Sequence, residues 1–224
     1  MKGRVIAIEG VDASGKETQS KALYKRLKEE GYNVIRISFP DYASESSALV
    51  KMYLSGDFGE DPNDVTPYVA STFYAADRFA SFKTKWQAHY AAGGIVIADR
   101  YATANMIHQA SKIENQDEKE AFLSWLWQLE FEIYKIPEPD MVFFLDMPPE
   151  VSHRLMQSRD NKITGQQEKD IHEKDQAYLN KSYENAHFIS ERYHWNIINC
   201  APDNQLKSIE EIHAQLYDTL KSKL

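Results

Sequence analysis

A chain of 224 residues, 42% of them hydrophobic, is long enough for one large domain with a real core, or for one domain with a small appendage. A net charge of −8 argues against broad attraction to nucleic acid or to an anionic membrane, and a single cysteine, Cys200, excludes an internal disulfide and suits a reducing compartment. The chain starts directly on a strand pattern with no leader ahead of it, and no apolar run approaches the ~18 residues of a membrane span, so a cytoplasmic protein is expected.

Val5-Ile6-Ala7-Ile8 reads as a buried strand. Gly10-Val11-Asp12-Ala13-Ser14-Gly15-Lys16 follows it, and a helical pattern begins near Lys16. Strand, glycine loop and helix in the pattern G-x-x-x-x-G-K make a phosphate cradle, because backbone N–H groups turn inward on an anion and the helix N-terminus adds partial positive charge. Lys16 would reach the β- and γ-phosphates of a bound nucleotide. The place normally held by a Ser or Thr that binds Mg²⁺ is Glu17, with Thr18 one residue late. Gly10, Val11, Asp12, Ala13, Ser14, Gly15, Lys16, Glu17 and Thr18 are thus the candidate contacts to a nucleoside phosphate. The alternative, a chance glycine turn between strand and helix, does not explain that context.

Residues 19–30 put Ala22, Leu23 and Leu27 on one helical face, ended by Gly31, and residues 34–39 read as a strand stopped by Pro40. The spacing suits a parallel, right-handed crossover. Residues 40–47 form a loop at the carboxyl end of that strand, where ligands gather in open α/β sheets. A short helix over 47–54 and an irregular stretch over 56–67 lead to one long helix over 68–91, broken by Gly93-Gly94. Ile95-Val96-Ile97-Ala98 is a buried strand ending in Asp99-Arg100-Tyr101. Residues 104–111 read as helix, and 119–135 as a strongly apolar one whose stretch 121–133 is either core or a subunit interface. Residues 141–146 are the fourth strand, and Pro148-Pro149 opens a helix. Residues 159–167 are polar with one glycine, a candidate mobile lid. Helix over 169–193, strand over 195–199, and helix over 208–221 with a Ser208/Glu211 capping box complete the chain. The expectation is one three-layer α/β domain over 1–224 with a parallel sheet and no internal repeat.

Three further clusters bear on chemistry. Asp99 can hold Mg²⁺ or its waters and Arg100 can clamp phosphate, although a strand-end ion pair would look the same. Tyr74 and Arg78, at i and i+4, share a helix face and can stack and hydrogen-bond a base; the plainer reading is a core aromatic beside a solvated arginine. Arg159 and Lys162, with Arg154 on the preceding helix, can close over a transferring phosphoryl group or simply be solvated charge. His172 and Cys200 make no defensible nucleophile pair, and the sequence holds no C-x-x-C or H-E-x-x-H, so a structural zinc is not expected.

Taken together, Ile8-Glu9-Gly10-Val11-Asp12, Gly15-Lys16, Thr18-Gln19, Phe39-Pro40, Phe73-Tyr74-Ala75-Ala76-Asp77-Arg78, Asp99-Arg100-Tyr101, Pro139-Asp140, Leu145 to Glu150 and His172-Glu173-Lys174 resemble thymidylate kinases in content and order, over roughly residues 4–200. The resemblance implies transfer of the ATP γ-phosphate to dTMP, Mg²⁺, sheet order 2-3-1-4-5 and usually a homodimer. It implies that Asp12 and Arg100 hold the acceptor's sugar and phosphate, Tyr74 lies by the base, Arg78 bonds thymine O4, Asn105 and Gln109 line the acceptor pocket, and Arg159 is the lid cation. Lys16, Arg100 and Arg159 are then the catalytic set, and Glu17 and Asp99 the metal candidates. Three departures stand out. Glu17 replaces the hydroxyl residue, Tyr42 stands where many members put an arginine, and Ala13 leaves the loop without the arginine that some members have there. Two other functions stay open: a related kinase for another deoxynucleotide or for a nucleoside, with Glu9 as base for a 5′-hydroxyl, and a nucleotide-binding regulator that has lost catalysis.

Overall fold

A computed structural model describes residues 2–156 and 171–223; the expected lid, with Arg159 and Lys162, lies outside the described residues. The described residues form a five-stranded parallel sheet of β1 (Arg4–Glu9), β2 (Val34–Ser38), β3 (Ile95–Asp99), β4 (Met141–Asp146) and β5 (Asn196–Asn199), in the order β2-β3-β1-β4-β5 expected from the resemblance. Apolar strands without polar alternation demand cover on both faces. Ile6 and Ile8 pack with Leu23, Leu27, Ile97 and Leu145 on one side, while Val5 and Ala7 pack with Phe82, Trp86, Val96 and Ala98 on the other. Central β1 runs Ile8 beside Asp99 and Glu9 beside Phe144, so the glycine loop, Asp99 and Arg100 emerge together at the carboxyl edge. Asp140 belongs to the opposite edge: its carboxylate accepts the Val5 N–H at 2.8 Å, pinning the start of β4 to β1.

The helices keep their expected places with altered ends. They are α1 (Lys16–Glu29), α2 (Ala48–Ser55), α3 (Pro67–Ser81), α4 (Gln87–Ala91), α5 (Thr103–His108), α6 (Gln116–Trp127), α7 (Pro149–Met156), α8 (Ile171–Lys174), α9 (Gln176–Arg192) and α10 (Ile209–Lys221). The long helix expected over 68–91 runs from α3 through a π-helical segment, Phe82–Trp86, into α4, and α6 likewise widens into one at Gln128–Ile133. The helix expected over 169–193 is broken at Asp175, whose carboxylate accepts the Tyr178 N–H at 2.9 Å and caps α9. The Ser208/Glu211 capping box of α10 is present. The apolar stretch 121–133 is core on one face, through Phe122, Leu123 and Leu126, and open on the other, where Ile133 is 61% exposed. Cys200 is fully buried, its thiol donates to Ile198 O at 3.3 Å, and burial pushes its pKa up to about 12, which makes it a packing residue. No helix among the described residues is long and apolar enough to cross a membrane.

Candidate active site

The glycine loop has the geometry that its spacing requires. A Cβ on Gly10 would meet Ser14 Oγ at 2.4 Å and Leu145 O at 3.0 Å, so the first glycine is needed for close approach. Gly15 has φ 87° with open space around it, so the second is needed for its backbone conformation, and it delivers the chain into α1 at Lys16. Ala13 takes the left-handed region too, at φ 56°, a strain of order 1 kcal/mol for a residue with a Cβ. Lys16 Nζ donates to Val11 O at 2.7 Å and to Ser14 Oγ at 3.5 Å, which keeps the ammonium over the loop. Ser152 Oγ of α7 donates to Asp12 O at 2.7 Å and ties that helix to the loop.

Arg100 faces the loop from the end of β3. Its guanidinium donates to Asp12 Oδ1 at 2.5 Å and Gly10 O at 3.3 Å, and lies 2.6 Å from His108 Nε2. Burial works against its charge, but the Asp12, Glu9 and Asp99 carboxylates outweigh burial and raise its pKa. Burial, then Arg100, push the His108 pKa well down, so its neutral ring accepts from Arg100 through Nε2 and carries its proton on Nδ1. Arg100 has φ 65°, an uncommon conformation for a non-glycine residue that costs about 1–3 kcal/mol and has to be held by its surroundings.

A cavity of about 570 Å³, its open mouth included, lies beside this arginine. All six residues read as acceptor contacts line it: Asp12, Tyr74, Arg78, Arg100, Asn105 and Gln109. The volume and the mixture of aromatic and polar walls suit a small ligand of nucleotide size. Tyr74 stands edge-on to Tyr53, ring centroids 6.4 Å apart. Arg78 is neither solvated nor open along its whole fork. It is 1% exposed, and its Nε donates to Glu130 Oε1 and Oε2 at 3.1 and 3.3 Å while one terminal nitrogen also pairs with that carboxylate. Its neighbour Asp77 accepts the Asp41 N–H at 2.8 Å and Ser46 Oγ at 2.5 Å, which fastens the loop after β2 to α3. Asn105 Nδ2 reaches Ser71 O at 3.5 Å, and Gln109 Oε1 is buried without a hydrogen-bond partner among the described residues.

Three residues join the site that the sequence did not single out as a group. His172 lines the cavity, and its Nε2 lies 2.8 Å from Tyr53 Oη. Lys112 Nζ donates to the same hydroxyl at 2.8 Å and to Pro62 O at 2.5 Å. Burial lowers Lys112 to about 8; burial and then the Lys112 charge lower His172 to about 3. His172 is therefore neutral at physiological pH and shares a hydrogen bond with Tyr53 Oη, so it shapes the wall and carries no charge. Their sequence separations of 59 and 119 residues left no local signal.

The metal candidates part company. Asp99 Oδ2 is buried against an Arg36 terminal nitrogen at 2.8 Å, and Arg36 Nε donates to Ser20 Oγ at 2.7 Å, so this carboxylate holds β2 and α1 to β3. Glu17, the other candidate, lies on the first turn of α1, 44% exposed, with Lys21 Nζ at 2.7 Å. Thr18 is exposed on the same turn. Among the described residues no group of three or more His, Cys, Asp or Glu side chains could hold a metal ion.

The model of the thymidylate kinase family matches residues 8–216. A thymidylate kinase of Exiguobacterium sp. is 26% identical over 212 residues, covering 94% of this chain and 92% of that protein. A thymidylate kinase of Mycobacterium tuberculosis is 30% identical over 173 residues, covering 76% of this chain and 78% of that protein. Among solved structures, the thymidylate kinase from Candida albicans superposes with a TM-score of 0.75 at 22% identity, covering 99% of this chain and 92% of that one.

Proposed function

This chain belongs to the thymidylate kinase family, and we propose that it transfers the γ-phosphoryl group of ATP to the phosphate of dTMP, giving dTDP. The observation that carries the reading is the cavity in which Asp12, Tyr74, Arg78, Arg100, Asn105 and Gln109 meet beside the glycine loop. It is an ATP-dependent phosphotransferase by family. An acceptor phosphate oxygen is already a nucleophile, so the protein has to position two phosphates in line and neutralise charge rather than remove a proton. Loop amides and Lys16 hold the donor. Arg100, fixed by Asp12 and His108, holds the acceptor phosphate. Tyr74 and Arg78 take the base.

Mg²⁺ belongs to this proposal as well. It needs only one or two protein carboxylates beside phosphate oxygens, and when bound it would supply positive charge against the charge that develops on the phosphates. Glu17 fits as a hard, half-exposed oxygen donor next to the loop, whereas Asp99 is committed to Arg36. Arg159 is retained as the lid cation on sequence grounds, and a cytoplasmic location on the lone buried cysteine and the family. A homodimer through the outer faces of α2 and α3 is also proposed: Leu49, Met52, Val69 and Phe79 are exposed there, and Ile133 nearby in α6's continuation. Sedimentation at micromolar concentration is expected to give twice the 25.9 kDa chain mass, and a monomer would remove the dimer.

The reading is tested with ATP and a panel of nucleoside monophosphates. Arg78 offers only donors, which suit thymine O4 and mismatch the cytosine amino group. A kcat/KM for dTMP at least ~10-fold above that for dCMP is expected, since a mismatched buried donor costs about 1–3 kcal/mol. A larger value for dCMP would move the acceptor to another nucleotide, and no turnover of any would favour a regulator.

A further inference from the structure

Glu9, the last residue of β1, is fully buried and is not among the residues lining the acceptor cavity. One of its carboxylate oxygens is doubly used: Oε1 accepts the Tyr101 N–H at 2.8 Å and the Thr103 Oγ1–H at 2.6 Å. The other, Oε2, is shut off from solvent without a hydrogen-bond partner among the described residues. The two donors lie just after Arg100, whose own N–H donates to Ile8 O at 3.1 Å and whose φ is 65°. The chain is thus held on both sides of its strained residue, by the β1 backbone before it and by the Glu9 side chain after it. The strain is what lets β3 end and α5 begin within a few residues while the Arg100 guanidinium turns back to Asp12 and Gly10.

We propose that Glu9 is a positioning residue for phosphoryl transfer: its Oε1 clamps the 101–103 turn and so keeps Arg100 in the left-handed conformation that faces the acceptor phosphate. The clamp rests on the acceptor-phosphate role proposed for Arg100. It also answers the possibility that Glu9 is a base for a 5′-hydroxyl. Such a base needs an oxygen in the cavity, whereas here the working oxygen is spent on the turn and the idle one is enclosed.

A clamp needs an acceptor oxygen and no negative charge. Glu9→Gln keeps that oxygen, and Glu9→Ala removes it. Thr103→Val removes one of the two donors without touching the carboxylate, so it decides the point should Glu9→Ala not fold. Expected results are an acceptor KM raised at least ~10-fold in Glu9→Ala and several-fold in Thr103→Val, an ATP KM within about 2-fold of wild type in both, and near-normal kinetics in Glu9→Gln. Hydrogen exchange over residues 99–105 is expected to speed up in Glu9→Ala and Thr103→Val and to match wild type in Glu9→Gln. Two results overturn the clamp: a kcat that falls as far in Glu9→Gln as in Glu9→Ala with acceptor KM unchanged, which makes the carboxylate a chemical group, or unchanged exchange in both Glu9→Ala and Thr103→Val. Failure of wild type to turn over dTMP counts against the acceptor, and the exchange measurement still decides the clamp.

Discussion

Lys16→Ala is expected to lower γ-phosphoryl transfer by at least ~10³-fold, the scale seen when a single cation on a transferring phosphoryl group is lost. The loop offers two kinds of positive partner to a donor phosphate, its backbone amides and one ammonium. The amides survive the substitution because Gly10 and Gly15 set their geometry. The ammonium does not, and Ala13 supplies no arginine from the same loop. Lys16 Nζ also bonds Val11 O at 2.7 Å, so part of the effect passes through loop order. Lys16→Arg, which keeps the charge but not the compact head, separates the two: it should restore loop order and only part of the rate. Steady-state rates with ATP and dTMP, beside circular dichroism to confirm the fold, are the measurement. Near-full turnover in Lys16→Ala would mean that another cation holds the β- and γ-phosphates.

The parts of this site that sequence made legible are those with short spacing. Strand, loop and helix between residues 4 and 29 are adjacent in the chain, and the glycines are explained by contacts within that span and to the neighbouring β4. The fourth strand, 141–146, is found where the apolar run put it, whereas β2 and β5 are each one residue shorter than expected: Phe39 still donates its N–H to Asp99 O at 3.0 Å as the chain leaves the sheet, and the Trp195 N–H is spent on Ser190 O of α9 at 2.9 Å. What stayed illegible is the pairing of buried charge. Arg78 read as either base-facing or solvated because its partner Glu130 is 52 residues away, in a stretch that read simply as apolar helix. Asp99 read as a metal candidate because the Arg36 that occupies it sits on another strand. A carboxylate's role is fixed by whatever cation the topology brings to it, and that information is spread over the whole chain.

The Arg78–Glu130 pair gives the second large effect, and it divides into stability and recognition. Both side chains are at most 1% exposed, so removing one partner leaves the other as an uncompensated buried charge. Glu130→Ala is expected to destabilise the protein by about 3–5 kcal/mol, the range for breaking a buried pair from one side. Replacing both partners by apolar residues of similar volume, Arg78→Met with Glu130→Leu, removes the stranded charge and is expected to recover most of that stability, since buried pairs and well-packed apolar replacements are often near break-even. Turnover of dTMP should not recover with it. Glu130 takes Nε and one terminal nitrogen of the guanidinium, so the pair fixes the direction in which the remaining N–H groups address the cavity. A methionine has no donor for thymine O4, so the stable double variant should show a dTMP KM raised at least ~10-fold and little remaining preference over dCMP. Chemical denaturation of the single and double variants, followed by kinetics on both acceptors, makes the comparison. A double variant as stable as wild type that still prefers dTMP would show that Arg78 is a structural ion-pair partner and that another residue reads the base.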